Sequence, residues 1–253
     1  MAKINIPIVL FFALFINFVT AQGAEAISGA NEEPYSVSKP WTYPLRPGVP
    51  EWNFIETSIK ALQIPTNAVN KMSTRHLAVS CLNYPMFGDI YFSDTFEIGF
   101  DFILTNTYAF QALLTRPDVG EILIERYLQF NVEAMRTNAI PTPSTDNFIS
   151  FAFITQIIKR DEVLSKLDRQ QATRLANKSL SNLKKIQSDY GDTASNIHAT
   201  SLLAKLLVKN AVIIPINHTS QLDSSKLSSL ARGEAFALSE MVPLIIQKYK
   251  DSE

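Results

Sequence analysis

The chain has 253 residues, with 23 basic and 24 acidic side chains and a formal net charge of −1 at pH 7. A balanced charge without clustered lysine and arginine excludes strong attraction to nucleic acid or to an anionic membrane. A chain of this length buries most of its surface on folding, so it requires no disulfide framework, structural metal or other cofactor. We therefore expect no cofactor.

Residues 1–21 have the pattern of a secretory signal peptide. Lys3 precedes an apolar run from Ile4 to Val19, and Ala21 provides a small residue for cleavage. The run is shorter than the roughly 20 residues of a membrane-spanning helix. We expect cleavage after Ala21 and export to the periplasm, the outer surface or the medium, without membrane insertion of the mature chain.

Residues 22–50 are predicted to form an extended, proline-rich N-terminal arm, because five prolines at this density exclude a helix or a central strand. The arm carries Trp41 and Tyr43, and Trp52 follows it. These three rings are the candidate binding residues, since flat aromatic rings can stack on sugars. The favoured alternative is that they anchor the arm to the body of the protein.

Residues 51–253 are predicted to form a single helical domain, with a possible boundary between layers in the proline-containing linker 136–146. Ser73 has the position of an N-cap. Asp94 with Glu97 and Asp118 with Glu121 have the spacing of capping boxes. The first box is predicted to open one helix that runs through Leu114, and the short segment 113–120 predicts an antiparallel reversal.

The helical pattern continues beyond the linker. An apolar helix is predicted around 148–158, a short helix follows Asp161, and Asp168 with Gln171 forms another capping-box pattern. A further helix extends to about Lys209 and places His198 on its apolar side. Nine or ten helices in all predict an all-α fold of stacked antiparallel helix pairs, similar to an α-α superhelix but without a clear repeat.

Cys81 is the only cysteine of the chain. It lies in the last turn of the helix that follows Ser73, where the partial negative charge of the helix end disfavours a thiolate. Free cysteine is also among the most frequently buried residue types. We expect Cys81 to be a core residue and not a nucleophile.

Acidic residues and a histidine leave an enzymatic alternative open. Glu97 with Asp101 and Glu121 with Glu125 are carboxylates one turn apart, although polar edges of this kind usually serve solvation. His198 is expected to be a core histidine with a satisfied ring nitrogen, or otherwise a site residue. In the enzymatic alternative Asp101, Glu125 and His198 are the catalytic residues. No metal site is expected.

Residues 72–90, MSTRHLAVSCLNYPMFGDI, resemble a segment of exported, helix-rich bacterial proteins of unassigned function, and LLTRPDVGEIL at 113–123 is similar to those proteins too. The resemblance implies an exported bacterial helical domain and supplies no catalytic residue. In such bacteria the triplet Asp192, Thr193, Ala194 resembles an O-glycosylation acceptor, which makes Thr193 a candidate modification site. A plain helix cap is the alternative.

The sequence contains none of the common metalloprotease, thiol-redox, dinucleotide-binding, nucleophile-elbow or P-loop motifs. We therefore expect an exported noncatalytic helical module that binds another envelope protein or a glycan, since stacked helices offer concave surfaces. The alternative is a hydrolase without a recognisable motif, in which scattered acidic residues and a histidine meet in a helical cleft.

Overall fold

The computed structural model describes residues 39–45, 59–87, 93–132, 145–190, 194–209 and 224–232. Within these ranges the chain forms ten α-helices and no strand, and the predicted all-α fold is confirmed. The expected signal peptide, Trp52, Thr193 and most of the arm and of the linker lie outside the described residues. The helices are α1 (Thr66–Lys71), α2 (Thr74–Leu82), α3 (Phe96–Asn106), α4 (Tyr108–Thr115), α5 (Val119–Gln129), α6 (Thr145–Ile158), α7 (Asp161–Leu164), α8 (Arg169–Tyr190), α9 (Ala194–Lys209) and α10 (Ser224–Ala231).

Helix α6 lies at the centre of the packing. It contacts α2, α3, α5, α7 and α9, and every residue from 151 to 159 is buried. A helix that has neighbours on all sides has no polar face to expose, which explains its nearly continuous apolar sequence. Phe153 of α6 packs among the rings of Phe100 and Phe110, at centroid distances of 5.8 and 5.4 Å.

Successive helices pack against each other as pairs: α3 with α4, α4 with α5, α6 with α7, α8 with α9, and α9 with α10. The turn between α4 and α5 is held by Lys166, whose Nζ donates to the carbonyl oxygens of Leu114 and Arg116, each at 2.7 Å. Gly120 permits a close approach there, because a Cβ at this position would lie 2.7 Å from Cδ2 of Leu167.

Two predicted helix starts are confirmed by their hydrogen bonds. The Ser73 side chain accepts from the backbone N–H of His76 at 3.2 Å. Asp168 and Gln171 form a complete capping box: the Gln171 N–H donates to Oδ1 of Asp168 at 2.7 Å, and the Asp168 N–H donates to Oε1 of Gln171 at 3.0 Å. The Ser73 cap and the Asp168–Gln171 box both satisfy backbone donors that a helix start leaves without partners.

The other two predicted capping boxes are wrong. Helix α3 is capped by Thr95, one residue after Asp94, and its Oγ1 accepts from the N–H of Ile98 at 3.2 Å. Thr95 has the extended backbone conformation that an N-cap requires. Asp118 precedes α5 but makes no side-chain cap, because its Oδ1 accepts from Oγ1 of Thr74 at 2.6 Å and so ties α2 to the start of α5.

The helix predicted to run through Leu114 is divided at Thr107, whose φ of −135° and ψ of 107° are extended. Side chains satisfy the carbonyl groups that this break exposes. Nε2 of Gln111 donates to the carbonyl oxygens of Leu104 and Thr105, at 3.0 and 3.2 Å. The single predicted helix is therefore two, α3 and α4, which pack against each other.

Cys81 has no exposed surface, and burial raises the pKa of its thiol above the ordinary value. The prediction of a core cysteine is confirmed.

Candidate functional site

The aromatic candidates of the arm pack against α2. Tyr43 is 4% exposed, and its hydroxyl donates to the carbonyl oxygen of Ser80 at 3.1 Å. Its ring meets that of Tyr84 edge-on at 5.6 Å. Trp41 is partly buried, and its backbone N–H donates to Oγ of Ser80 at 2.8 Å. This is the arrangement of the anchoring alternative, in which the rings hold the arm and Tyr43 has no open face for a sugar.

Each of the three candidate catalytic residues contacts a different partner. Asp101 accepts a hydrogen bond from Nη1 of Arg160. Glu125 pairs with Arg75 at 2.7 Å, and both side chains are largely exposed. His198 is fully buried in α9, with its ring 4.7 Å from that of Phe96. Asp101 and Glu125 therefore pair with different arginines, and His198 packs against an aromatic ring.

A cavity of about 140 Å³ lies at the C-terminal end of α6. Helices α3, α6, α7 and α9 and the α6–α7 junction all contribute to its wall, which explains why sequence reasoning missed it. We call it the α6 cavity, and its lining residues are Glu97, Phe100, Gln156, Lys159, Arg160, Asp161, Glu162 and Lys205.

Most charged groups of the α6 cavity are paired with one another. Arg160 binds Asp101, and its Nε lies 3.7 Å from Oε2 of Glu162. The Arg160 guanidinium also lies 5.9 Å from the centroid of the Phe100 ring. Lys205 pairs with Asp161 at 3.5 Å. These contacts neutralise three carboxylates near the cavity and fix the arginine between α3 and α7.

Lys159 is the cation of the cavity that makes no ion pair with any described residue. It is 5% exposed, and its Nζ donates to Oε1 of Gln156 at 3.3 Å. Burial lowers the pKa of its ammonium from 10.5 to about 7; the charge of Glu97 opposes this change, whereas Lys205 and Arg160 reinforce it. Burial therefore favours the uncharged amine of Lys159 over its ammonium form.

Local structure explains why a lysine is tolerated at this depth. The Lys159 backbone N–H donates to the carbonyl oxygen of Thr155 at 3.0 Å, so the residue immediately follows the last turn of α6. The C-terminal end of a helix carries a partial negative charge, which stabilises a nearby cation. This partial charge offsets part of the free-energy cost of removing the ammonium group from water, although it is not a charged partner.

Gln156 adds a second buried donor to the cavity wall. Its side chain is 2% exposed, and its Oε1 is taken by Lys159. Its Nε2 has no hydrogen-bond partner within the part of the chain that the structure describes. A buried polar group without a partner destabilises a fold by about 1–3 kcal/mol, so such groups usually bind water or a ligand.

His198 lies near Lys159, although it does not line the α6 cavity. Burial, reinforced by Lys159, lowers the pKa of its imidazole from 6.5 to about 3. His198 and Lys205 are seven residues apart on α9 and therefore lie on the same face of that helix. The imidazole therefore stays uncharged at neutral pH and adds no positive charge beside Lys159.

One sequence signal could have indicated this site. The stretch FISFAFITQIIK at 148–159 is apolar except for Ser150, Thr155, Gln156 and Lys159, and the last three of these are buried. Polar residues within a helix that is buried all round require partners from other elements, which makes them site candidates. The apolar pattern of this helix predicts only core packing, and its polar residues were not among the predicted site residues.

The described ranges lack two further structural features. No helix there is both long and apolar enough to cross a membrane. No group of three His, Cys, Asp or Glu side chains is placed there to hold a metal ion.

Comparison of the chain with protein-family models, with curated proteins and with solved structures finds no match. The resemblance of residues 72–90 to exported bacterial proteins therefore stays a prediction.

Proposed function

We propose that this protein is an exported, noncatalytic helical module that binds a small carboxylate-bearing molecule in the α6 cavity. The export part of this proposal is supported by the signal-peptide pattern of residues 1–21. The binding part is supported by one observation: two buried donors, Gln156 Nε2 and Lys159 Nζ, belong to side chains that line the same small cavity.

The donor set favours an acceptor-bearing ligand. Asp101, Asp161 and Glu162 are already bound by cations. In contrast, the amide nitrogen of Gln156 has no acceptor among the described residues, and the Lys159 nitrogen has only one. A carboxylate provides two strong acceptor oxygens, which match these two nitrogens.

The size of the cavity limits the ligand. A buried cavity of roughly 150 Å³ holds a benzene molecule, so about 140 Å³ accommodates about six non-hydrogen atoms. Acids with two or three carbons are of this size. The envelope-protein and glycan partners expected from the sequence stay predictions.

Calorimetric titration tests this proposal. The ligands are acetate, glycolate and lactate, and the comparators are ethylamine, which is a cation, and ethanol, which is uncharged. Below neutral pH Lys159 is mostly protonated, and the acids are expected to bind better than the comparators. Gln156→Leu removes the amide donor and should weaken acid binding about tenfold, the effect of one hydrogen bond to a charged group.

The matched control is Lys71→Met, which removes an exposed lysine of α1 and should leave binding unchanged. Equal binding of acids and amine, or acid binding that is the same in Gln156→Leu and the unmodified protein, would contradict the proposed site.

A further inference from the structure

We propose that Lys159 holds a small 2-oxo acid in the α6 cavity as a reversible imine. This inference rests on the proposed function, because it requires the same cavity to bind a carboxylate. It adds the class of ligand, an acid with a carbonyl group next to the carboxylate, and a covalent step that ordinary carboxylates cannot undergo.

The geometry provides the three groups that such a ligand needs. Lys159 offers an amine on the cavity wall, and the residue is only 5% exposed to solvent. Gln156, whose amide nitrogen lacks a partner among the described residues, offers a donor for the ligand carboxylate. Glu97 of α3 lines the same cavity and offers a half-buried carboxylate for proton transfer.

The amine must be uncharged to attack a carbonyl carbon, and its surroundings favour that state. The charged and titratable groups nearest to it are Glu97 from α3, Lys205 and His198 from α9, and Arg160 beside it in the chain. Asp161 and Glu162 of α7 line the same cavity and pair with Lys205 and Arg160. Burial and the two cations lower the ammonium pKa to about 7, and Glu97 opposes them. An ordinary lysine is uncharged in only about one molecule in 2,500 at pH 7.

The chemical step is balanced without any further reactant. The nitrogen lone pair forms a bond to the carbonyl carbon, and the oxygen takes up a proton that the nitrogen loses, which gives a carbinolamine. The nitrogen then forms a double bond to carbon, and the hydroxyl leaves with a second proton as water. One amine and one carbonyl give one imine and one water, and Glu97 is placed to carry the protons.

Reductive trapping tests the inference. The full-length protein is incubated with pyruvate or glyoxylate and cyanoborohydride, which reduces an imine to a stable secondary amine, and modified lysines are identified by peptide mass spectrometry. We expect saturable modification of one lysine, Lys159, at an initial rate about a hundredfold or more above that of exposed lysines such as Lys71. The rate should rise with pH through about 7, as the amine loses its proton.

Two variants and one competitor complete the design. Lys159→Arg keeps a cation but cannot form an imine, so it should abolish the rapid modification, whereas Lys71→Met should retain it. Lactate has the carboxylate but no carbonyl, and it should bind and slow the trapping without being trapped. The pH dependence in the unmodified protein gives a readout that does not depend on the folding of any variant.

The outcomes separate the two proposals. Binding of lactate and pyruvate without preferential modification of Lys159 would overturn the imine and leave the carboxylate site standing. Absence of both binding and modification would overturn both. Rapid modification of Lys159 that lactate does not slow would overturn the assignment of the carboxylate to the same cavity.

Discussion

Replacement of Lys159 by methionine should change how the stability of this protein depends on pH. Methionine has a similar length and no charge, and the lysine side chain is almost fully buried. The ammonium pKa is about 7 in the folded protein and 10.5 in an ordinary environment. This difference corresponds to about 5 kcal/mol of unfolding free energy between low and high pH.

The sign follows from proton binding. Between pH 7 and 10.5 the unfolded chain holds the Lys159 proton and the folded protein does not, so the free energy of unfolding rises with pH. Below pH 7 both states hold the proton, and this residue adds no pH dependence. Between about pH 7 and pH 9.5 the expected gain is about 3 kcal/mol. The Met variant should lack this gain and should be the more stable protein below neutral pH.

Urea unfolding followed by far-ultraviolet circular dichroism measures this difference at a series of pH values. The series stops below pH 10, because burial raises the phenol pKa of Tyr43 and raises that of Tyr127 to about 12, so these residues reduce stability at higher pH. Lys71→Met, which removes an exposed lysine, should keep the pH dependence of the unmodified protein. Parallel stability curves for the Lys159→Met variant and the unmodified protein would refute the reasoning.

Three further predictions concern the buried core. Because burial lowers the imidazole pKa of His198 from 6.5 to about 3, stability should fall by about 2 kcal/mol between pH 7 and pH 5, and urea midpoints of His198→Gln should fall less. Tyr127→Phe breaks a buried 2.8 Å hydrogen bond to Ser179 and should reduce the free energy of unfolding by about 1–3 kcal/mol. The double variant Tyr127→Phe with Ser179→Ala should recover part of this loss. Cys81, which has no exposed surface, should react with a thiol reagent only as fast as the protein unfolds, and immediate labelling in native buffer would contradict its place in the core.

Most of the helical fold could be predicted from the sequence, because helix patterns are local. The stripe of Leu175, Leu183 and Ile186 repeats at helical spacing, and all three side chains are buried in α8. The capping box of Asp168 and Gln171 needs only residues that are close in the chain. The division at Thr107 was not predictable in this way, because no glycine or proline marks it and the break is stabilised by Gln111 from the next helix.

The α6 cavity could not be predicted, because its groups come from helices that are distant in the chain. Glu97 belongs to α3, Lys159 follows α6, and Lys205 belongs to α9. Only the packing of these helices around the end of α6 brings the three side chains to one wall. The helical pattern correctly predicted that Asp101 lies on a polar edge of its helix. Its partner, Arg160, comes after the linker 136–146 in the chain. Charge patterns within one helix therefore gave no indication of the site.

The most direct test of this account is the titration of the Lys159 amine itself. Lysine-specific isotope labelling and nuclear magnetic resonance follow each side-chain signal with pH, and the Lys159→Met variant identifies the signal by its loss. We predict that this amine titrates at about pH 7. Titration near the ordinary lysine value of 10.5 would contradict a buried amine in the wall of the α6 cavity.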